Sequence, residues 1–182
     1  SGIWAPLCER SIVTGLGRLT KTTGLLSEAG MSDTLSALRE YFAIARDYGA
    51  ESIRAAATMA ARIATNANEF LALAEAQHTP VFILSGEREA ELGFRCVAND
   101  PLFKGAPTLA IVDPGGHSTE ITCARRTDEE WVTSFKRSFP IGALGLREGS
   151  MKPEIVPIAN RLQAVKEIDD SLGFESLSGK VG

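Results

Sequence analysis

The stretch Ile111-Val112-Asp113-Pro114-Gly115-Gly116-His117-Ser118-Thr119-Glu120 decides how the chain is read. An apolar run, Leu109 to Val112, delivers an acid, Asp113. A Pro-Gly-Gly turn and two hydroxyl residues follow, then a second acid, Glu120, before an alternating pattern resumes from Ile121 to Ala124. The pattern predicts strand, tight turn, strand. Glycines remove the Cβ atoms that would hold a phosphate away from the main chain, so that N–H groups converge on its oxygens. Ser118 and Thr119 add hydroxyl donors. Asp113 and Glu120 carry the wrong charge to touch phosphate directly, and make sense if a hard cation such as Mg²⁺ lies between. The plain alternative is a hairpin turn of small residues with two exposed acids.

Bulk properties narrow the field. The chain has 182 residues, 44% hydrophobic and 23% charged, which is globular usage rather than that of a disordered chain. Its formal net charge is −4. Neither half is basic, so charge gives no support to DNA binding. A polyanionic ligand would need a local cluster of donors or a metal. Three cysteines, Cys8, Cys96 and Cys123, form no CxxC, which argues against a disulfide framework or zinc site and fits a reducing, cytoplasmic setting. Only His78 and His117 are present, which rules out a histidine-rich metal site. No apolar run approaches the ~20 residues of a membrane span. No signal peptide is visible, and a first residue of Ser1 suggests a piece of something longer.

Working outward, Ser11–Val13 has weak strand character and Lys21–Gly24 is a polar, flexible stretch. Ser32 is the expected N-cap of a helix carrying Leu35, Leu38, Phe42 and Ala45 and stopping at Gly49. Ile53–Ala56 is a short buried strand. Asn68–Ala76 is a helix with Phe70 and Leu73 inward. Val81–Leu84 is a buried strand, and Glu87–Val97 a helix with Leu92 and Phe94 inward. This alternation is an α/β pattern with parallel strands. The turn-rich stretch from Asn99 to Pro107 is the expected boundary between a first lobe, residues 1–106, and the start of a second, residues 107–182. Three consecutive strands follow: Thr108–Val112, Ser118–Ala124 and Trp131–Arg137. Pro157 then opens a helix to Leu172, with Ile158, Leu162, Val165 and Ile168 inward. Ser176–Gly182 is a short tail.

A second constellation, Ser85-Gly86-Glu87-Arg88-Glu89-Ala90-Glu91, lies where a buried strand gives way to a helix, a usual ligand position in open α/β sheets. A carboxylate there can act as general base for a water. Spacing leaves Glu87, Glu89 and Glu91 as alternatives to one another and to a solvated helix face. Arg62 follows a run of small residues and has the planar fork that suits phosphate oxygens; a surface arginine is the plain alternative.

Together these pieces resemble the exopolyphosphatase / guanosine pentaphosphate phosphohydrolase family. Val13-Thr14-Gly15-Leu16-Gly17 is similar to its VTRLG segment, and Ala57-Thr58-Met59-Ala60-Ala61-Arg62 to its AT-x-x-x-R segment. Leu84 to Ala90 is similar to ISGEEEA, Asp113 to Glu120 to DIGGGSTE, and Phe139-Pro140-Ile141-Gly142-Ala143 to LPLGA. The resemblance implies an α/β, ribonuclease-H-like (actin-like ATPase) fold with two lobes around a cleft, both incomplete in this chain. It implies hydrolysis of phosphoanhydride bonds in inorganic polyphosphate or guanosine pentaphosphate, with Mg²⁺, and polyphosphate or guanosine penta- or tetraphosphate as the bound partner. It places Glu89 on the catalytic glutamate and Arg62 on a phosphate-binding arginine. Asp113 and Glu120 fall on acids tied to the metal, and Gly115, Gly116, His117, Ser118 and Thr119 on the phosphate loop. Pro114 and His117 replace an aliphatic residue and a glycine, Gly15 replaces an arginine, and the family's first phosphate loop is absent. Two other functions follow from the same fold: a non-catalytic polyphosphate or alarmone sensor, and an ATP-dependent kinase. A homodimer is left open.

Overall fold

The computed structural model describes residues 5–128 and 130–173. The chain divides into two compact units, Ser1–Ile83 and Leu84–Gly182.

The first unit runs α1 (Thr20–Thr23), α2 (Glu28–Asp47), β1 (Ala55–Ala57), α3 (Met59–Ile63), α4 (Ala67–Ala76) and β2 (Val81–Ile83). β1 and β2 pair in parallel, Ala55 opposite Val81 and Ala57 opposite Ile83, as the alternating α/β pattern predicts. Helices α2 and α4 cover this ribbon. Their core joins Leu26, Met31, Ala64, Ala67 and Phe70, with Leu35, Leu38, Val81 and Ile83 packed around them. Asn66 ties the unit across forty residues: it accepts from the Leu26 N–H at 2.8 Å and donates to the Leu26 carbonyl at 2.9 Å.

Several local expectations give way here. α2 begins at Glu28, because Ser27 rather than Ser32 is the cap, its hydroxyl accepting from the Gly30 N–H at 3.1 Å. The helix does stop at Gly49, which takes the left-handed φ of +75° that glycine alone adopts freely. Ser11–Val13 forms no strand, and Val13 is largely exposed. Polar Thr20–Thr23 is a turn of helix, with Thr20 fully buried. Leu73 and Leu92 are not core residues; the buried positions on their helices are Ala67, Phe70 and Ala74, and Ala90, Phe94 and Ala98.

The second unit begins with α5 (Gly86–Ala98) and continues through β3 (Thr108–Pro114), β4 (Thr119–Thr127), β5 (Glu130–Phe139), α6 (Ala143–Glu148) and α7 (Ile158–Leu172). The three expected strands form one antiparallel sheet in the order β3-β4-β5. Side chains alternate across its faces. On one face Leu109, Ile111, Ala124 and Trp131 meet Phe94 and Ala98 of α5, and the Phe94 and Trp131 rings pack edge to face at 5.7 Å. On the other, Ile121, Phe135 and Phe139 meet Ile141, Ile168 and Leu172. Because α5 lies on this sheet, the compact units meet at Ile83/Leu84, ahead of the turn-rich stretch after Asn99 where the sequence places a boundary. On α7, only the Ile168 part of the expected stripe packs inward; Ile158, Leu162 and Val165 are exposed, and Ala164 and Leu172 are the buried residues. The expected tail, Ser176–Gly182, lies outside the described residues. Among the described residues no helix is long and apolar enough to cross a membrane.

Phe70, fully buried at the centre of the first unit, tests that core. Phe70→Ala should cost about 3–5 kcal/mol, read as a lowered midpoint in denaturant unfolding.

Candidate active site

The β3–β4 register sets the geometry. Asp113 stands opposite Glu120, and Glu120 opposite Ser138 of β5. These side chains therefore form one row on one face of the sheet, with directly opposed Cβ atoms roughly 4.5–5.5 Å apart. The face is the one α5 covers. Gly93 of α5 lies against Asp113: a Cβ built there would sit 3.4 Å from its Oδ2. Glu89 is one turn earlier on the same side of the helix, since residues four apart share a face.

Glu120 is only 3% exposed. Burial pushes its carboxyl above the usual range, and the charges of Glu89 and Asp113 push the same way. Hydrogen bonds from Ser138 and Ser118 oppose the shift; the Ser138 hydroxyl donates to Oε1 at 2.6 Å. Three carboxylates thus act on one spot, two on facing strands and one on the helix above.

The structure separates the acids of α5. Glu87 is exposed. Glu91 is bound by Arg88 at 2.8 Å and Arg95 at 2.6 Å, and the Arg88 hydrogen bond lowers its pKa. Glu89 is the half-buried acid whose charge acts on Glu120. Ser85 caps this helix, its hydroxyl accepting from the Arg88 N–H at 3.1 Å, which fixes where the first turn and Glu89 begin.

The loop between the acids is closed by an internal bond: the Gly115 N–H donates to the Ser118 carbonyl at 2.8 Å. That donor, expected to face an anion, is committed to the turn. So is the Thr119 hydroxyl, whose single proton goes to the Ile141 carbonyl at 2.7 Å. Ser118, at 3% exposure, lies against Glu120. His117 is also buried, 5% exposed with its Nδ1 shut off from solvent, so the ring is packed inside rather than displayed on the loop. Arg62 stands in the other compact unit, in the last turn of α3, half-buried. Sequence reasoning missed Ser138 and α6; the signal for Ser138 was its place directly before the Phe139–Ala143 segment, in register with Glu120.

The donor set suits a hard cation in one way only. Among the described residues no group of three or more His, Cys, Asp or Glu side chains is arranged to hold a metal. What exists is a cross-strand pair of carboxylates beside a third. That fits an ion such as Mg²⁺, which keeps several waters and takes one or two carboxylates together with substrate phosphates.

The raised Glu120 carboxyl has a consequence for stability. An acid whose pKa is raised by folding supports the fold fully below its unfolded value and loses that support as pH rises through the raised one. Glu120→Gln, neutral throughout, should therefore melt higher than the parent at pH 7 in metal-free buffer. The gap should close on acidification below about pH 4, as thermal unfolding at the two pH values will show.

With this geometry in place, comparison with known proteins is direct. The model of the Ppx/GppA phosphatase family matches residues 4–173. An exopolyphosphatase 2 of Mycobacterium tuberculosis is 30% identical over 164 residues, 85% of this chain and 50% of that protein. A guanosine-5'-triphosphate,3'-diphosphate pyrophosphatase of Aeromonas hydrophila is 30% identical over 166 residues, 86% of this chain and 33% of that one. The chain thus spans about half or less of the length of these curated relatives. The crystal structure of the Aquifex aeolicus Ppx/GppA family member superposes with a TM-score of 0.68 at 28% identity, covering 91% of this chain and 53% of that one. An exopolyphosphatase-like protein superposes with a TM-score of 0.80 over 94% of this chain and 54% of its own; at 23% identity it speaks for the fold alone. Matched over most of its length in sequence and in structure, the chain belongs to the Ppx/GppA phosphatase family, with the actin-like ATPase type of α/β fold.

Proposed function

We propose that the protein carrying this chain hydrolyses phosphoanhydride bonds, releasing orthophosphate from inorganic polyphosphate or from a guanosine pentaphosphate. The observation that carries the reading is the convergence of Glu89, Asp113 and Glu120 beside a glycine loop within one compact unit. Relatives named for both substrates stand behind it.

Glu89 is the general base in this reading. It accepts a proton from a water whose oxygen attacks the terminal phosphorus, while the bond from that phosphorus to the bridging oxygen breaks and the shortened chain leaves with the electron pair. Glu89 suits this role because it lies on the face of α5 turned to the acid row and its charge bears on the buried Glu120, whereas Glu91 is bound by Arg88 and Arg95. The main-chain N–H groups at Gly116 and His117 hold phosphate oxygens where negative charge accumulates, while the Ser118 side chain is engaged with Glu120. Gly115 and Thr119 support the loop from within rather than touching phosphate. Arg62 is proposed as a further phosphate ligand. Asp113 and Glu120 would hold Mg²⁺, directly or through water; when bound, the ion offsets their mutual repulsion and neutralises charge on the leaving phosphate. The cytoplasm is the proposed location.

The kinase reading would need an acceptor hydroxyl and a nucleotide pocket; phosphate release from polyphosphate without nucleotide separates the two. The sensor reading would need binding without release. Glu89→Gln should lower phosphate release from polyphosphate by about 10²–10⁴-fold while leaving polyphosphate binding measurable by calorimetry. Equal turnover in the variant removes Glu89 from the mechanism.

A further inference from the structure

Gly142 sits on the loop. A Cβ built there would lie 2.6 Å from the Gly116 carbonyl carbon, 2.7 Å from the Gly115 oxygen and 2.7 Å from the Gly116 oxygen. Those are main-chain atoms, which no rotamer change can move aside. The conformation of Gly142 is not the reason for a glycine: φ of −162° and ψ of 167° are extended values any residue adopts. The residue is small because the loop backbone occupies the space of its side chain.

Immediately after it, α6 begins. The first N–H groups of a helix have no partner within it. Here the Ala143 N–H donates to the Gly115 carbonyl at 2.9 Å, and those of Leu144 and Gly145 donate to the Gly116 carbonyl at 2.7 and 3.0 Å. The Thr119 hydroxyl bond to Ile141 ties the far end of the loop to the same segment. A peptide unit is planar and trans, so its N–H points opposite to its C=O. With both carbonyls drawn onto α6, the N–H groups in the same two peptide planes, those of Gly116 and His117, point away from it. Donors at the carbonyl end also polarise each plane and strengthen its N–H as a donor.

We infer that Gly142 and the first turn of α6 are a positioning device for the phosphate loop, fixing the Gly115–Gly116 and Gly116–His117 peptides with their N–H groups turned toward a bound phosphoanhydride. The inference rests on the hydrolase reading and deepens it. Gly142 touches no substrate; it lets α6 approach closely enough to hold the carbonyls. A side chain there would push α6 back, release the two peptides and leave them free to rotate, with the carboxylates untouched.

The test uses the full chain and inorganic tripolyphosphate with Mg²⁺. In the parent protein the Gly116 amide resonance should shift on binding. Gly142→Ala, folded by circular dichroism, should bind at least tenfold more weakly by calorimetry, and its Gly116 amide should no longer respond at saturation. Unchanged affinity in folded Gly142→Ala overturns the inference, as does a parent Gly116 amide that stays put while tripolyphosphate binds elsewhere. If Gly142→Ala does not fold, the parent amide response decides alone. A parent protein that binds no tripolyphosphate overturns the substrate reading, and this inference falls with it.

Discussion

Two carboxylates face each other across β3 and β4, and the second unit is arranged around keeping them there. Like charges directly opposed in a sheet destabilise it, and Glu120 is buried as well. Nothing local favours such a pair. The register persists because the apolar positions on the same strands are satisfied only in this alignment: Leu109 and Ile111 with Ala124 under α5, Ile121 with Phe139 on the opposite face. A slip of one residue would exchange the two faces and place the carboxylates against α7. Packing thus overrides electrostatics, and hydrogen bonds from Ser138 and Ser118 soften what remains. Sites that hold such a conflict are poised to gain from a cation and a polyanion arriving together, since the ion relieves the carboxylates and the anion supplies its remaining ligands.

The loop between the acids divides its polar groups by direction. The Gly115 and Gly116 carbonyls go to α6, the Gly115 N–H closes the turn on the Ser118 carbonyl, and the Thr119 hydroxyl anchors the exit. The Gly115–Gly116 and Gly116–His117 peptides are held by main-chain neighbours that cannot easily move. This is a rigid way to present main-chain amides, because each is fixed through the opposite end of its own peptide plane. Preorganised donors of this kind stabilise developing charge without rearranging during the reaction.

Much of this was legible in the sequence where chemistry and periodicity coincide. The strand–turn–strand around Asp113 to Glu120, the three consecutive strands, the parallel β1–β2 pair and the helix carrying Glu89 all read correctly from apolar alternation and punctuating glycines. What escaped depended on contacts between distant segments. Ser138 is an ordinary strand serine until the register sets it beside Glu120. Gly142 reads as a connector residue until the loop backbone is found in the space its side chain would fill. Spacing alone left three acids on α5 equivalent; ion pairs with Arg88 and Arg95 distinguish Glu91 only once the helix is built. Ser27 won the cap over Ser32 because a cap is a hydrogen bond to a particular N–H, not a residue type. On α7 the 3.6 period located the helix but not its buried face, since Ile158, Leu162 and Val165 remain exposed.

The departures at Pro114 and His117 become intelligible on the same grounds. Pro114 ends β3, an edge strand of the three-stranded sheet, the position where a missing N–H is tolerated. His117 stands where the DIGGGSTE segment that this stretch resembles has glycine, yet among the described residues it is not one of those with positive φ, so its backbone needs no glycine. Its ring is buried, at 5% exposure. Gly115 and Gly116 do not need positive φ either. Gly115 is small because a Cβ would come within 3.0 Å of the Ser118 oxygen, whereas at Gly116 a Cβ would meet only Leu144 at an ordinary 3.6 Å. The demand for a small residue at 115 therefore comes from closing the turn, and that at 142 from seating α6 on the loop, not from unusual dihedral angles. A buried side chain, as at 117, is compatible with the proposed reading, in which the loop would bind phosphate through its peptide groups.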